Sequence, residues 1–199
     1  MKQKDEPLDD FESALADIAE VRNWSSVWGP SHGGGPDGLS EIAERVRAAT
    51  GWSTAPPDGG ADMRQVAWSF TTGRGVVVTV GPGSASFATG SGGWSAYRLS
   101  AEDYPQALAI LRQRQWPRYL DLVSRYLGPP AYVASCVDAD FPSDRWRDEY
   151  DPHDVGYLGV WERPGLEFHL YASHAGLRFK PAHPAMSIQY LVRQPAPGR

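Results

Sequence analysis

Trp161-Glu162-Arg163-Pro164-Gly165-Leu166-Glu167-Phe168 reads as a strand, a tight turn and a second strand, because Pro-Gly turn chemistry separates two runs of strand-forming residues. A leaner stretch with the same grammar lies upstream: Trp68-Ser69-Phe70-Thr71-Thr72-Gly73-Arg74-Gly75-Val76-Val77. The echo extends to Phe87 with Phe179 and Tyr97 with Tyr190, at separations of 92 and 93 residues against 93 for the two tryptophans. Strand side chains alternate faces, so a slip of one residue would turn a whole strand over; a near-constant offset is therefore physically meaningful.

Working outward, each of these stretches sits inside a set of short β-like runs. The first set falls near 65–72, 75–80, 84–89 and 94–99; the second near 131–137, 157–162, 166–172, 176–180 and 186–193. Such spacing leaves no room for crossover helices, so the strands are expected to be antiparallel. A helix precedes each set. One is expected over 40–50, with Ser40 as N-cap, Ile42, Val46 and Ala49 inward and Gly51 at its end. The other opens at the capping box Ser100-Ala101-Glu102-Asp103 and runs to about 127, with Pro117 restarting or kinking it. It leaves through Leu127-Gly128-Pro129-Pro130, and Pro56-Pro57 follows the first helix in the same manner.

The expected fold class is therefore α+β: a tandem duplication of a helix plus antiparallel β-meander unit, with the helices packed on one face of the sheet. Residues 1–199 are expected to form a single compact domain of two pseudo-repeats, 39–99 and 102–193. An added N-terminal helix over 7–22 carries Leu8, Phe11, Leu15 and Ile18 on one stripe, and 195–199 reads as a disordered tail.

Composition narrows the function classes. The chain is near globular averages in hydrophobic (41%) and charged (22%) content but rich in aromatics, with eight tryptophans that suit core filling. The N-terminus turns acidic at once without an apolar leader, and no apolar run approaches the ~20 residues of a membrane span. A cytoplasmic protein is the expectation. Cys136 is the single cysteine, which excludes an internal disulfide and a cysteine-based zinc cluster.

Catalytic and cofactor motifs are weak. Gly81-Pro82-Gly83 begins like a dinucleotide fingerprint but lies between strands, and Gly33-Gly34-Gly35 lacks the Gly-Lys-Ser/Thr of a phosphate loop. Ser31 stands in Gly29-Pro30-Ser31-His32-Gly33, but in a glycine- and proline-rich loop rather than on the strand-to-helix turn of a nucleophile elbow, and none of the five histidines forms a His-x-x-x-His or His-Glu-x-x-His pair. Asp151, His153 and Asp154 would supply ligands if His169 joined them. However, His169 shares a face with Glu167 and Tyr171, opposite Leu166, Phe168 and Leu170, which reads as the solvated side of a half-buried strand. Arg112, Arg114 and Arg118 flank Trp116, which reads as a solvated helix face rather than a nucleic-acid surface. No catalytic residue, metal or cofactor is expected, and no site where nucleophile, base and orienting group converge.

The informative anomaly is the segment 138–154. Its seven carboxylates outweigh Arg145 and Arg147 by five, which equals the formal charge of the whole chain, −5. Phe141, Trp146 and Tyr150 are interleaved with those charges. An acidic surplus with aromatics suggests a surface for a basic protein partner, made by Asp138, Asp140, Asp144, Trp146, Asp148, Glu149, Tyr150 and Asp151.

The Leu127-Gly128-Pro129-Pro130 exit, followed by the Trp161 and Phe168 strands, resembles small actinobacterial proteins of the immunity type over roughly 115–193. That resemblance implies toxin neutralisation by binding; the long acidic segment departs from the pattern, and no site residue carries over. The first functional expectation is thus a non-enzymatic protein-binding module. Alternatives are a small-molecule binder or enzyme with an aromatic-lined groove between the repeats, and an interaction scaffold or secretion-associated chaperone. The oligomeric state is open.

Overall fold

The computed structural model describes residues 2–4, 8–28, 36–55, 68–80, 86–89, 93–147, 150–151, 153–173 and 185–195. The elements run β1 (Lys2–Lys4), α1 (Leu8–Glu20), α2 (Ser25–Trp28), α3 (Pro36–Thr50), β2 (Ser53–Ala55), β3 (Trp68–Thr71), β4 (Val77–Val80), β5 (Ser86–Thr89) and β6 (Ser95–Tyr97). A second helical stretch follows as α4 (Asp103–Ile110), a π-helical turn (Leu111–Gln115) and α5 (Trp116–Leu127), then β7 (Tyr132–Ser135), β8 (Val155–Arg163), β9 (Leu166–Ser173) and β10 (Met186–Arg193). The fold is α+β.

The described strands form one ten-stranded sheet in the order β2-β3-β4-β5-β10-β9-β8-β7, with β6 pairing β10 and β1 pairing β6. All pairs are antiparallel. The order reads alike from both ends: two four-stranded meanders joined by their last strands, each preceded by a helix. Trp68 and Trp161 lie on the second strand of their meanders.

The residue-level echo departs from that symmetry. The strand placed like β10 is β5, whereas Tyr97 lies on β6 and is 37% exposed while Tyr190 on β10 is 1% exposed. Pro129-Pro130 precedes β7, but Pro56-Pro57 follows the short strand β2, which the sequence reading missed. The connection placed like 136–154 is then 56–67, so the acidic segment has a positional counterpart; 56–67, the expected strand at 176–180, Phe179 and both glycine motifs lie outside the described residues. So do 196–199 of the expected tail. The meanders meet by strand pairing, Leu191 with Ala88 and Val192 with Phe87, not across a groove.

Two faces of the second meander bury different things. Trp161, Phe168, Leu170, Ile188, Tyr190 and Val192 face the helices, joined by Phe70 and Val78 of the first meander in one core. Phe11 of α1 seats edge-on against Tyr119 and Tyr190, with ring centres 4.9 and 5.1 Å away. The opposite face offers Leu158 and Val160, which are also fully buried.

Helix starts and breaks follow local chemistry. α3 begins at Pro36, four residues before the expected Ser40 cap, since proline is pre-set for the first helical position. Ser100 and Asp103 form the expected reciprocal capping bonds, 3.1 and 3.3 Å. Pro117 has no amide to give the carbonyl one turn earlier; the helix absorbs the loss as a wide turn in which the Trp116 amide reaches back to the Leu111 carbonyl. At the exit, Gly128 adopts φ +78°, and its carbonyl accepts from the Trp161 indole at 3.0 Å. No helix among the described residues is long and apolar enough to cross a membrane.

Candidate functional site

The segment between β7 and β8 lies across the second face of the sheet, because that face is apolar where its strands carry Val155, Leu158 and Val160. Phe141, Trp146 and Tyr150 are 9, 4 and 7% exposed and close over these residues together with Tyr132 and Tyr171. The indole of Trp146 lies 4.7 Å from the Tyr132 ring and edge-on to His169. Trp146 and Tyr150 are thus not surface anchors: the segment's aromatics are its attachment.

A buried polar chain completes the attachment. Glu167 and His169, expected on a solvated face, are 1 and 0% exposed. The Tyr150 hydroxyl lies 2.7 Å from His169 Nδ1, and His169 Nε2 lies 3.2 Å from Glu167 Oε2. Arg193 donates to the same oxygen from Nε at 2.8 Å, while Arg145 of the segment bonds Glu167 Oε1 and Glu162 and lies over the Trp146 ring. Burial pushes the Glu167 carboxyl up, but hydrogen bonds from His169 and Arg193 and the Arg193 charge outweigh it and hold the pKa at about 2. An ionised carboxylate only accepts, so His169 Nε2 carries a proton toward Glu167, and Nδ1 shares the second hydrogen bond with the Tyr150 hydroxyl.

This chain corrects one expectation. A hydroxyl, an imidazole and a carboxylate do converge within hydrogen-bond reach, although no sequence motif announced them. All three are sealed by the segment, with Tyr150 tilted against His169 and Tyr171 at 5.7 and 5.6 Å between ring centres. The arrangement joins an added segment to the sheet. Its sequence signal was the alternation of Glu167, His169 and Tyr171 on β9, in register with Arg193, Leu191 and Gln189 on β10.

With the aromatics inward, four of the segment's carboxylates point out, while Asp154 is half-buried. Asp138, Asp140, Asp144 and Asp151 are exposed, Asp144 by 89% with Arg147 beside it at 2.8 Å. Local bonds shape their backbone: Asp138 accepts from the Ser135 amide at 2.6 Å and its hydroxyl at 3.1 Å, and Asp151 accepts from the His153 amide at 2.8 Å. Asp148 and Glu149 lie outside the described residues. His153 is exposed and apart from buried His169, and among the described residues no group of three or more His, Cys, Asp or Glu could hold a metal ion. Arg112, Arg114 and Arg118 are exposed, while Trp116 turns inward against Tyr157.

Compared with protein-family models, curated proteins and solved structures, the chain matches none.

Proposed function

We propose that this protein is a non-enzymatic protein-binding module whose contact surface is the outward face of 138–154, presented to a basic partner. The observation that supports it is the division of labour within the segment. Its aromatics and Arg145 are spent on the sheet, leaving Asp138, Asp140, Asp144 and Asp151 on a backbone held from beneath. Fixed charges of one sign steer an oppositely charged partner without the ordering cost of a free loop. Toxin neutralisation of the immunity type is the specific form of this reading.

The test is capture of basic proteins from a host lysate on immobilised full chain, compared with the Asp138→Lys, Asp140→Lys, Asp144→Lys variant. A basic protein retained by the wild type, lost from the variant and released by moderate salt supports the reading. Equal retention by both, or retention indifferent to salt, overturns it.

A further inference from the structure

A cleft of about 120 Å³ opens between the π-helical turn and the outer end of the sheet. Tyr104 and Leu108 line it from α4, Leu111 and Arg112 from the wide turn, Cys136 from just past β7 and Tyr157 from β8. The wall is preformed: Leu111 is fully buried, and the Tyr157 ring rests on Trp116 at 5.3 Å. Arg112 is the charged residue in the lining, exposed at the rim of the cleft. Pro117 requires only that the helix lose one bond; the wide turn it induces falls on the residues that form this wall, and such turns recur at functional sites.

We propose that this cleft binds a small monocarboxylate, its apolar body among Leu108, Leu111, Tyr104 and Tyr157 and its carboxylate on Arg112. Size sets the class: an apolar cavity of about 150 Å³ accommodates benzene, so a single ring or a short acyl chain is the limit here. Charge sets the head group, since a planar guanidinium matches a carboxylate with two parallel hydrogen bonds. Burial raises the Tyr104 and Tyr157 phenols above their ordinary range, which keeps both protonated beside an anion. Asp138 is near enough to Tyr157 to oppose its ionisation, but the Ser135 amide and hydroxyl occupy the Asp138 carboxylate. The cleft borders the acidic segment at Ser135, Cys136 and Val137.

Cys136 makes the site readable, because the chain has no other cysteine and Cys136 is an exposed residue lining the cleft. Alkylation of Cys136 in the full chain is timed by mass spectrometry with benzoate, phenylacetate or hexanoate, and with benzyl alcohol as the uncharged control. At least one carboxylate is expected to slow labelling several-fold, and benzyl alcohol to do so far less. Arg112→Gln, at the exposed rim, is expected to weaken that protection about tenfold, the effect of losing a charged hydrogen-bond partner. Leu108→Trp, which fills the cleft, is expected to abolish it; if that variant does not fold, Arg112→Gln decides alone. The proposal is overturned if no carboxylate protects up to about 10 mM, tenfold above a millimolar dissociation constant. It is equally overturned if acid and alcohol protect alike and Arg112→Gln changes nothing.

Discussion

Gly165 shows how a single position can hold two layers together. Its φ of +76° closes the two-residue turn between β8 and β9, its carbonyl accepts from the Trp28 indole, and an added Cβ would stand 2.5 Å from the Ser25 amide. Gly165→Ala therefore meets both a left-handed backbone and a backbone clash, and is expected to cost roughly 2 kcal/mol or more. A thermal melt unchanged within a degree would refute this. Glu167 carries the acid limb of stability. Its folded pKa of about 2 lies below the ordinary 4.5, so its contribution is fully present above about pH 4.5 and is lost as pH falls toward 2. Glu167→Gln is expected to destabilise by about 3 kcal/mol at neutral pH, because Arg193 and Arg145 lose their buried partner, and to flatten the fall in stability between pH 4.5 and 2. Denaturant midpoints measured across that window check both the magnitude and the sign.

At the scale of elements, the 138–154 segment should open separately from the core beneath the sheet. Tyr150→Phe removes the hydroxyl that meets His169 Nδ1 in a buried site, which is expected to cost about 1–3 kcal/mol. Trp146→Ala empties the centre of the second cluster and is expected to cost about 3–5 kcal/mol. In hydrogen exchange, Tyr150→Phe should raise rates across 138–154 while the core between α1, α5 and β10 stays protected. Uniform loss of protection would mean that the segment is not a separate layer. The Leu111–Gln115 turn belongs at this scale too: Pro117 made a break legible in the sequence, but the form of the break depends on a helix that packing holds continuous on both sides.

For the whole molecule, the asymmetry of charge is the consequential feature, since one covered face of one meander carries the acidic surplus. Reversing Asp140 and Asp144 to lysine should slow association with a basic partner and flatten its dependence on salt, as steering is screened over about 10 Å at 0.1 M. Both positions are exposed, so the melting temperature should change little. Dissociation rather than association responding to that pair would contradict a steering role.

The sequence by itself determined the elements that rest on local chemistry: the strand–turn–strand from Trp161 to Phe168, the capping box at Ser100, the glycine exits at Gly51 and Gly128, and the antiparallel α+β class. Periodicity also placed Phe11, Leu15 and Ile18 inward on α1. What it could not determine is which face of a strand meets water. Glu167 and His169 alternate with Leu166, Phe168 and Leu170 as in a half-solvated strand, and only the segment folding back from β7 turns that polar row into a buried chain. The same event decided that Trp146 and Tyr150 are attachments rather than anchors. Tertiary structure also joined β5 to β10 and set Tyr97 on a different strand from the one that mirrors Tyr190. The physical reason is common to all three: burial and pairing are long-range properties, and a local pattern fixes which residues share a face but not what comes to cover it.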